Sequence, residues 1–213
     1  MKLNIKLKVT VRKILLSCII LLVSACGEPE KTYTPIGNDA VILAFGDSLT
    51  YGTGTSEKFS YPSILEGLTG LEVINEGVPG EVTSTGLKRL PGLLEEYQPE
   101  LLILIHGGND ILRKVSRTRT ASNLKDMITL AKQSDIKVVM LGVPSFSILS
   151  LESAEVYEQV ATEAGIPINL KVLPEILSDN KLKSDRIHPN KTGYQKMAEA
   201  VFQLLIDSGA ISQ

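Results

Sequence analysis

The chain has 213 residues, 43% of them hydrophobic and 22% charged, with a formal net charge of −2. That is material for one sizeable core rather than two comfortable domains. The charge is mixed in sign along most of the chain, which argues against a disordered protein and gives a nucleic-acid-binding one no support.

The N-terminus differs from the rest. Lys2, Lys6, Lys8, Arg12 and Lys13 precede an apolar run over residues 14–23. A basic stretch followed by about ten apolar residues reads as a secretory signal, too short for a permanent membrane-spanning helix. It ends in Val23-Ser24-Ala25-Cys26, which resembles the bacterial lipobox. That resemblance implies cleavage before Cys26, diacylglycerol on its sulfur and a membrane-anchored lipoprotein of the cell envelope. With Gly27 rather than Asp next, the site is the outer membrane if the source is Gram-negative. The plainer alternative is a buried first element with a chance cysteine.

Residues 1–25 hold five basic residues and no acid, so the remainder has seventeen basic residues against twenty-four acids, a balance of −7. Such a body is not drawn to anionic lipid by charge, and acyl chains would have to hold it there. Cys18 leaves with the signal and Cys26 carries lipid, so no disulfide is expected. Residues 26–39 read as anchor and flexible tether, polar with two prolines and two glycines, and residues 40–213 as one domain.

Within that domain apolar runs alternate with amphipathic stretches. Strands are predicted over 40–45, 71–75, 100–106, 137–143 and a short one near 166–169. Helices are predicted over 60–69, 84–97, 120–134, 151–164 and 191–207. The third and fourth strand runs are almost continuously apolar, as in parallel strands covered on both faces. The alternation gives an α/β class with right-handed crossovers. In such a sheet, ligands bind beyond the carboxyl ends of the strands. The segments found there are Gly46-Asp47-Ser48-Leu49, Glu76 to Glu81, Gly107-Gly108-Asn109-Asp110 and, later, Asp185-Arg186-Ile187-His188-Pro189.

Acyl transfer needs a nucleophile, a base, a group to orient the base, and donors for an oxyanion. His106 and His188 are the only histidines. Asp185 stands three residues before His188, a spacing that lets a carboxylate accept from one imidazole nitrogen and leaves the other to face a serine.

These segments resemble, in order, the four motif blocks of the SGNH or GDSL hydrolases. Gly46-Asp47-Ser48-Leu49 is similar to the first, Asn75-Glu76-Gly77-Val78-Pro79-Gly80 to the second, Gly107-Gly108-Asn109-Asp110 to the third, and Asp185-Arg186-Ile187-His188-Pro189 to the last. Tyr61-Pro62 and the run from Thr85 to Pro91 resemble the bacterial lysophospholipase, thioesterase and arylesterase subgroup. The resemblance spans about residues 40–207. It implies a three-layer α/β/α sandwich with a flavodoxin-like five-stranded parallel sheet. It implies catalytic Ser48, His188 and Asp185, with an oxyanion hole made by the Ser48 N–H, the Gly80 N–H and the Asn109 side-chain amide. The expected substrates are short acyl esters, acyl thioesters or lysophospholipids, with no cofactor, no metal and no nucleic-acid partner.

Each of these residues has a plainer reading. Ser48 could cap a helix, Asp185 could cap one or be solvated, and His188 could be a packed histidine. Asn109 and Gly80 could serve turns. Asp47 and Asp110 are expected to brace loops, and His106, at the end of a buried strand, to be a satisfied core histidine. Arg113, Lys114, Arg117 and Arg119 read as a solvated loop, or else as a rim meeting anionic groups. Residues 144–149 read as an apolar pocket wall. Two competing functions remain: a carbohydrate O-acetylesterase with the same site, and a flavin- or nucleotide-binding module suggested by Thr53-Gly54-Thr55-Ser56. Only 5% of residues are aromatic and none is Trp, which leaves few partners for a stacked flavin.

Overall fold

A computed structural model describes residues 31–145 and 153–212 of the protein. The signal, lipobox and most of the tether, together with residues 146–149 of the expected wall, lie outside the described residues. The folded unit begins at Thr32.

Five strands form one parallel sheet: β1 Val41–Gly46, β2 Glu72–Gly77, β3 Leu101–Ile105, β4 Lys137–Leu141 and β5 Ile168–Asn169. Their spatial order is β2-β1-β3-β4-β5. β3 is Leu-Leu-Ile-Leu-Ile, with every residue buried, and β1 is buried from Ile42 onward. Strands this apolar cannot present a face to water, so helices cover both sides. Burying each such side chain contributes about 1.5–3 kcal/mol relative to exposure.

Eight α-helices are found among the described residues: α1 Ser48–Tyr51, α2 Tyr61–Thr69, α3 Thr83–Tyr97, α4 Gly108–Leu112, α5 Arg117–Gln133, α6 Glu155–Ala164, α7 Val172–Ser178 and α8 Lys191–Ser208. α2 packs on α8 and α7 on α8, while α3 packs on α5 and α5 on α6. The result is the α/β fold with a five-stranded parallel sheet that the motif blocks imply.

Several element boundaries differ from the sequence expectation. β2 runs two residues further, because Glu76 and Gly77 pair in register with Phe45 and Gly46 of β1. α5 begins at Arg117 rather than 120, since Ser116 Oγ accepts from the Arg119 N–H and starts the helix a turn early. Arg117 and Arg119 therefore sit in a helical turn and not in a loop. β5 is reduced to two residues. α1, α4 and α7 add to the predicted helices. The first two are single turns made of motif residues, too short to show a helical period. α7 does show one, burying Leu173, Ile176 and Leu177.

The order places β1 between β2 and β3. Chain direction across the sheet reverses there, so the loops after β1 and β3 diverge and leave a crevice at the carboxyl edge. Ser48 follows β1 into that crevice and Asn109 follows β3.

Candidate active site

The turn after β1 is set by Asp47, which is buried and accepts from the Leu49 N–H through Oδ1 at 3.1 Å. Asp47, not Ser48, caps α1. Ser48 is thus the first helical residue, with its hydroxyl uncommitted to the cap. Tyr194 of α8 braces the turn from behind, its hydroxyl donating to the Thr53 carbonyl at 2.9 Å.

The second component comes from 140 residues away. His188 Nε2 lies 3.0 Å from Ser48 Oγ, and His188 Nδ1 lies 2.7 Å from Asp185 Oδ2. The other carboxylate oxygen of Asp185 accepts from the Ile187 and His188 N–H groups at 2.8 and 2.9 Å. The acid therefore folds its own loop and holds the ring of the same loop. Burial opposes its ionisation, but the bond from His188 and the two backbone donors outweigh it. Its carboxyl is held below the usual carboxylate range. An ionised Asp185 can only accept, so the proton sits on Nδ1 and the Nε2 lone pair faces the serine hydroxyl. Asn190, not Asp185, caps the following helix, accepting from the Thr192 and Gly193 N–H groups.

The third component is a set of donors. Gly80 has φ +80°, a conformation that residues other than glycine rarely tolerate. Its carbonyl accepts from Arg113 at 2.9 Å. Asn109 Nδ2 donates to the Glu81 carbonyl at 3.0 Å, leaving its second hydrogen only a long 3.4 Å contact with Asp47 Oδ2. Among the described residues, neither the Ser48 N–H nor the Gly80 N–H donates to a protein acceptor. Ser48, Gly80, Asn109 and His188 line one cavity of about 230 Å³, closed by Leu49, Pro79, Leu112 and Ile187.

A family model described as "GDSL-like Lipase/Acylhydrolase family" matches residues 44–196, a span that contains every one of these groups. The chain belongs to this GDSL family. It is 30% identical to the arylesterase of Vibrio mimicus over 175 residues, covering 78% of this chain and 88% of that protein. It is 26% identical over 165 residues to the thioesterase 1/protease 1/lysophospholipase L1 of Escherichia coli strain K12, covering 74% and 79%. Among solved structures, that of TesA superposes with a TM-score of 0.70 at 26% identity, covering 78% of this chain and 98% of that one.

In this GDSL hydrolase four of the site residues expected from the motifs, Ser48, Gly80, Asn109 and His188, line one cavity and the fifth, Asp185, stands behind His188, while Cys26 lies outside the described residues. Asp110 braces loops, accepting from the Thr83 N–H and hydroxyl at 2.8 and 2.6 Å. His106 is fully buried and packs on Phe45. Gly54, in the segment behind the competing nucleotide-binding reading, packs directly on the loop that carries His188: a Cβ there would stand 2.1 Å from Ser184 Oγ. Of the expected apolar wall only Pro144 and Ser145 are described; they do not line the cavity, and Pro144 pairs with Ser153 in an isolated bridge, while Phe146, Ile148 and Leu149 lie outside the described residues. Among the described residues Leu112 and Ile187 contribute to the apolar lining; Leu112 follows the third motif block and Ile187 lies within the last, and that placement is the signal the sequence offers. Among the described residues no group of three or more His, Cys, Asp or Glu is arranged to hold a metal ion.

Arg113 belongs by sequence to a solvated basic cluster, yet it fastens the Gly80 carbonyl. Arg117, by contrast, is exposed and only 3.9 Å from the exposed Glu155, a pair worth little in water.

Proposed function

We propose that this family member hydrolyses short-chain carboxylic esters and thioesters by a Ser-His-Asp acyl-enzyme route. The observation that carries the reading is the unbroken chain from Ser48 Oγ through His188 to Asp185, opening on a cavity lined by Ser48, Gly80 and Asn109. Ser48 Oγ attacks the acyl carbonyl as its proton passes to His188 Nε2. The oxyanion that forms is met by the Ser48 and Gly80 N–H groups and the second hydrogen of Asn109 Nδ2, which gives up its long contact with Asp47. The imidazolium, stabilised by Asp185, then protonates the leaving alcohol or thiol. Water repeats the sequence on the acyl-enzyme, and the proton returns to Ser48.

The cavity is small compared with pockets for drug-sized ligands, about 300–1,000 Å³. This supports acetyl to short acyl groups seated against Leu112 and Ile187, with the leaving group outside. The same size suits an acetyl group carried by a sugar, so O-deacetylation of carbohydrate is the second reading. A fluorophosphonate probe is expected to label Ser48 alone, and labelling of a different serine would end the assignment. A p-nitrophenyl ester series should peak at two to four carbons. Preferred turnover of acetylated glycan over the acetyl ester would select the second reading.

The reading includes attachment to a membrane through lipid on Cys26, supported by the lipobox resemblance at residues 23–26. Among the described residues no helix is long and apolar enough to cross a membrane. Cys26→Ser should move the protein from the membrane fraction to the soluble one; retention would remove this part of the reading.

A further inference from the structure

A buried ion network that the reaction does not consume lies beneath the loop carrying Gly80. Glu81 is 7% exposed, and its carboxylate accepts from Arg89 Nε at 2.9 and 3.0 Å through its two oxygens. Arg89 also donates to Glu76 Oε2 at 3.1 Å and to the Glu76 carbonyl at 2.7 Å, and lies 4.2 Å over the Phe45 ring. The second partner of Glu81 is His106, whose Nε2 is 3.2 Å from Oε2. The Gly107 N–H donates to His106 Nδ1 at 2.8 Å, so that nitrogen carries the lone pair and Nε2 carries the hydrogen. His106 thus donates to Glu81 with a fully committed, neutral ring.

Space for this contact comes from α3. A Cβ on Gly86 would stand 2.4 Å from His106 Nε2 and 3.1 Å from Glu81 Oε2. The sequence therefore keeps a side chain out of a buried helix position where the imidazole and carboxylate meet.

The network has one outlet toward the cavity. The backbone carbonyl of Glu81 receives the Asn109 amide at 3.0 Å. Because Nδ2 is planar, fixing one hydrogen on Glu81 sets the direction of the other, whose one contact is the long 3.4 Å approach to Asp47 Oδ2. The neighbouring Gly80 carbonyl is held separately by Arg113, so the two oxyanion donors after β2 and β3 have different anchors.

We propose that Glu81, clamped by Arg89 and His106, is a positioning residue that orients the Asn109 amide toward the oxyanion. The inference rests on the acyl-transfer reading of the site. A carboxylate tied at both oxygens fixes its own backbone more narrowly than a turn would. Donors preset on a developing charge do not have to reorganise when it forms. Arg89 reaches both oxygens through one N–H, and His106 adds a second donor on Oε2.

The test is a double-mutant cycle on the full chain with p-nitrophenyl acetate. Labelling of wild-type Ser48 by the fluorophosphonate comes first; its absence overturns the hydrolase reading and this inference with it. Glu81→Gln keeps the volume but presents an amide donor to Arg89 or His106. It is expected to lower kcat about tenfold with KM changed less than about twofold, and to cost less than about threefold when Asn109 is already Ala. His106→Leu, which fills the same space without a donor, should behave alike, and it carries the cycle if Glu81→Gln does not fold. A labelled wild type with kcat of both variants within about twofold overturns the positioning role. So does an equal loss in both backgrounds, which is what general destabilisation would produce.

Discussion

The two histidines of this chain each face a carboxylate, and they do opposite things. His188 gives its Nδ1 hydrogen to Asp185 and keeps the Nε2 lone pair toward Ser48. His106 takes the Gly107 N–H on Nδ1 and gives its Nε2 hydrogen to Glu81, so both nitrogens are used inside the protein. The pairs also differ in origin. Asp185 and His188 are three residues apart with half-exposed Asp185, whereas Glu81 and His106 are 25 apart and buried. A carboxylate beside an imidazole therefore does not make a base. What decides is which nitrogen is left over and whether a cavity reaches it.

Substitutions can break this contrast. The largest effect belongs to the exposed pair. Ser48→Ala or His188→Ala should lower kcat on p-nitrophenyl acetate by a factor on the order of 10⁴ or more with the circular dichroism spectrum unchanged. Residual activity within tenfold of wild type would place the chemistry elsewhere. Asn109→Ala should cost about 10²–10³ in kcat, about 2.7–4 kcal/mol, as typical of one lost oxyanion donor. The buried pair ranks next, at the roughly tenfold effect expected for Glu81→Gln.

The smallest effects concern stability against pH and separate the carboxyls by environment. Burial raises the carboxyl of Glu81, but the hydrogen bonds from His106 and Arg89 and the Arg89 charge outweigh it and hold it below its ordinary value. Such a group binds a proton less readily folded than unfolded. It stabilises the fold above the unfolded value of about 4.3, and that contribution fades as pH falls through the folded value. Glu81→Gln should thus flatten the acid limb of Tm against pH. Asp47 is the reverse case: burial raises its carboxyl, and the Leu49 and Gly108 N–H groups offset that only in part. Its contribution is present below about 3.9 and lost as pH rises through its folded value. Asp47→Asn, which can still cap α1, should gain Tm relative to wild type more at pH 8 than at pH 4. Equal shifts at both pH values would mean Asp47 is not ionised at a cost.

Strands β1, β3 and β4 are legible in the sequence because parallel strands covered on both faces must be apolar throughout. The end of β2 is not, since Glu76 and Gly77 read as a turn and join the sheet only by pairing with β1. The motif segments are readable as residues but not as the short helices α1 and α4, which hold too few positions for a period. Glu81, Arg89 and Arg113 carry no signal of their roles, because nothing in their spacing shows what they meet.

The α/β class and the four motif segments are local properties of the chain, and so is the reach of Asp185 to His188, because a three-residue separation lets those two side chains meet within one turn. The approach of His188 to Ser48, the nitrogen left open on each histidine and the meeting of Glu81 with Asn109 depend on the tertiary fold. Those contacts join residues 140 and 28 positions apart. They exist because the strand order sets β1 beside β3 and makes their loops part over one crevice, a long-range pairing that no local pattern encodes.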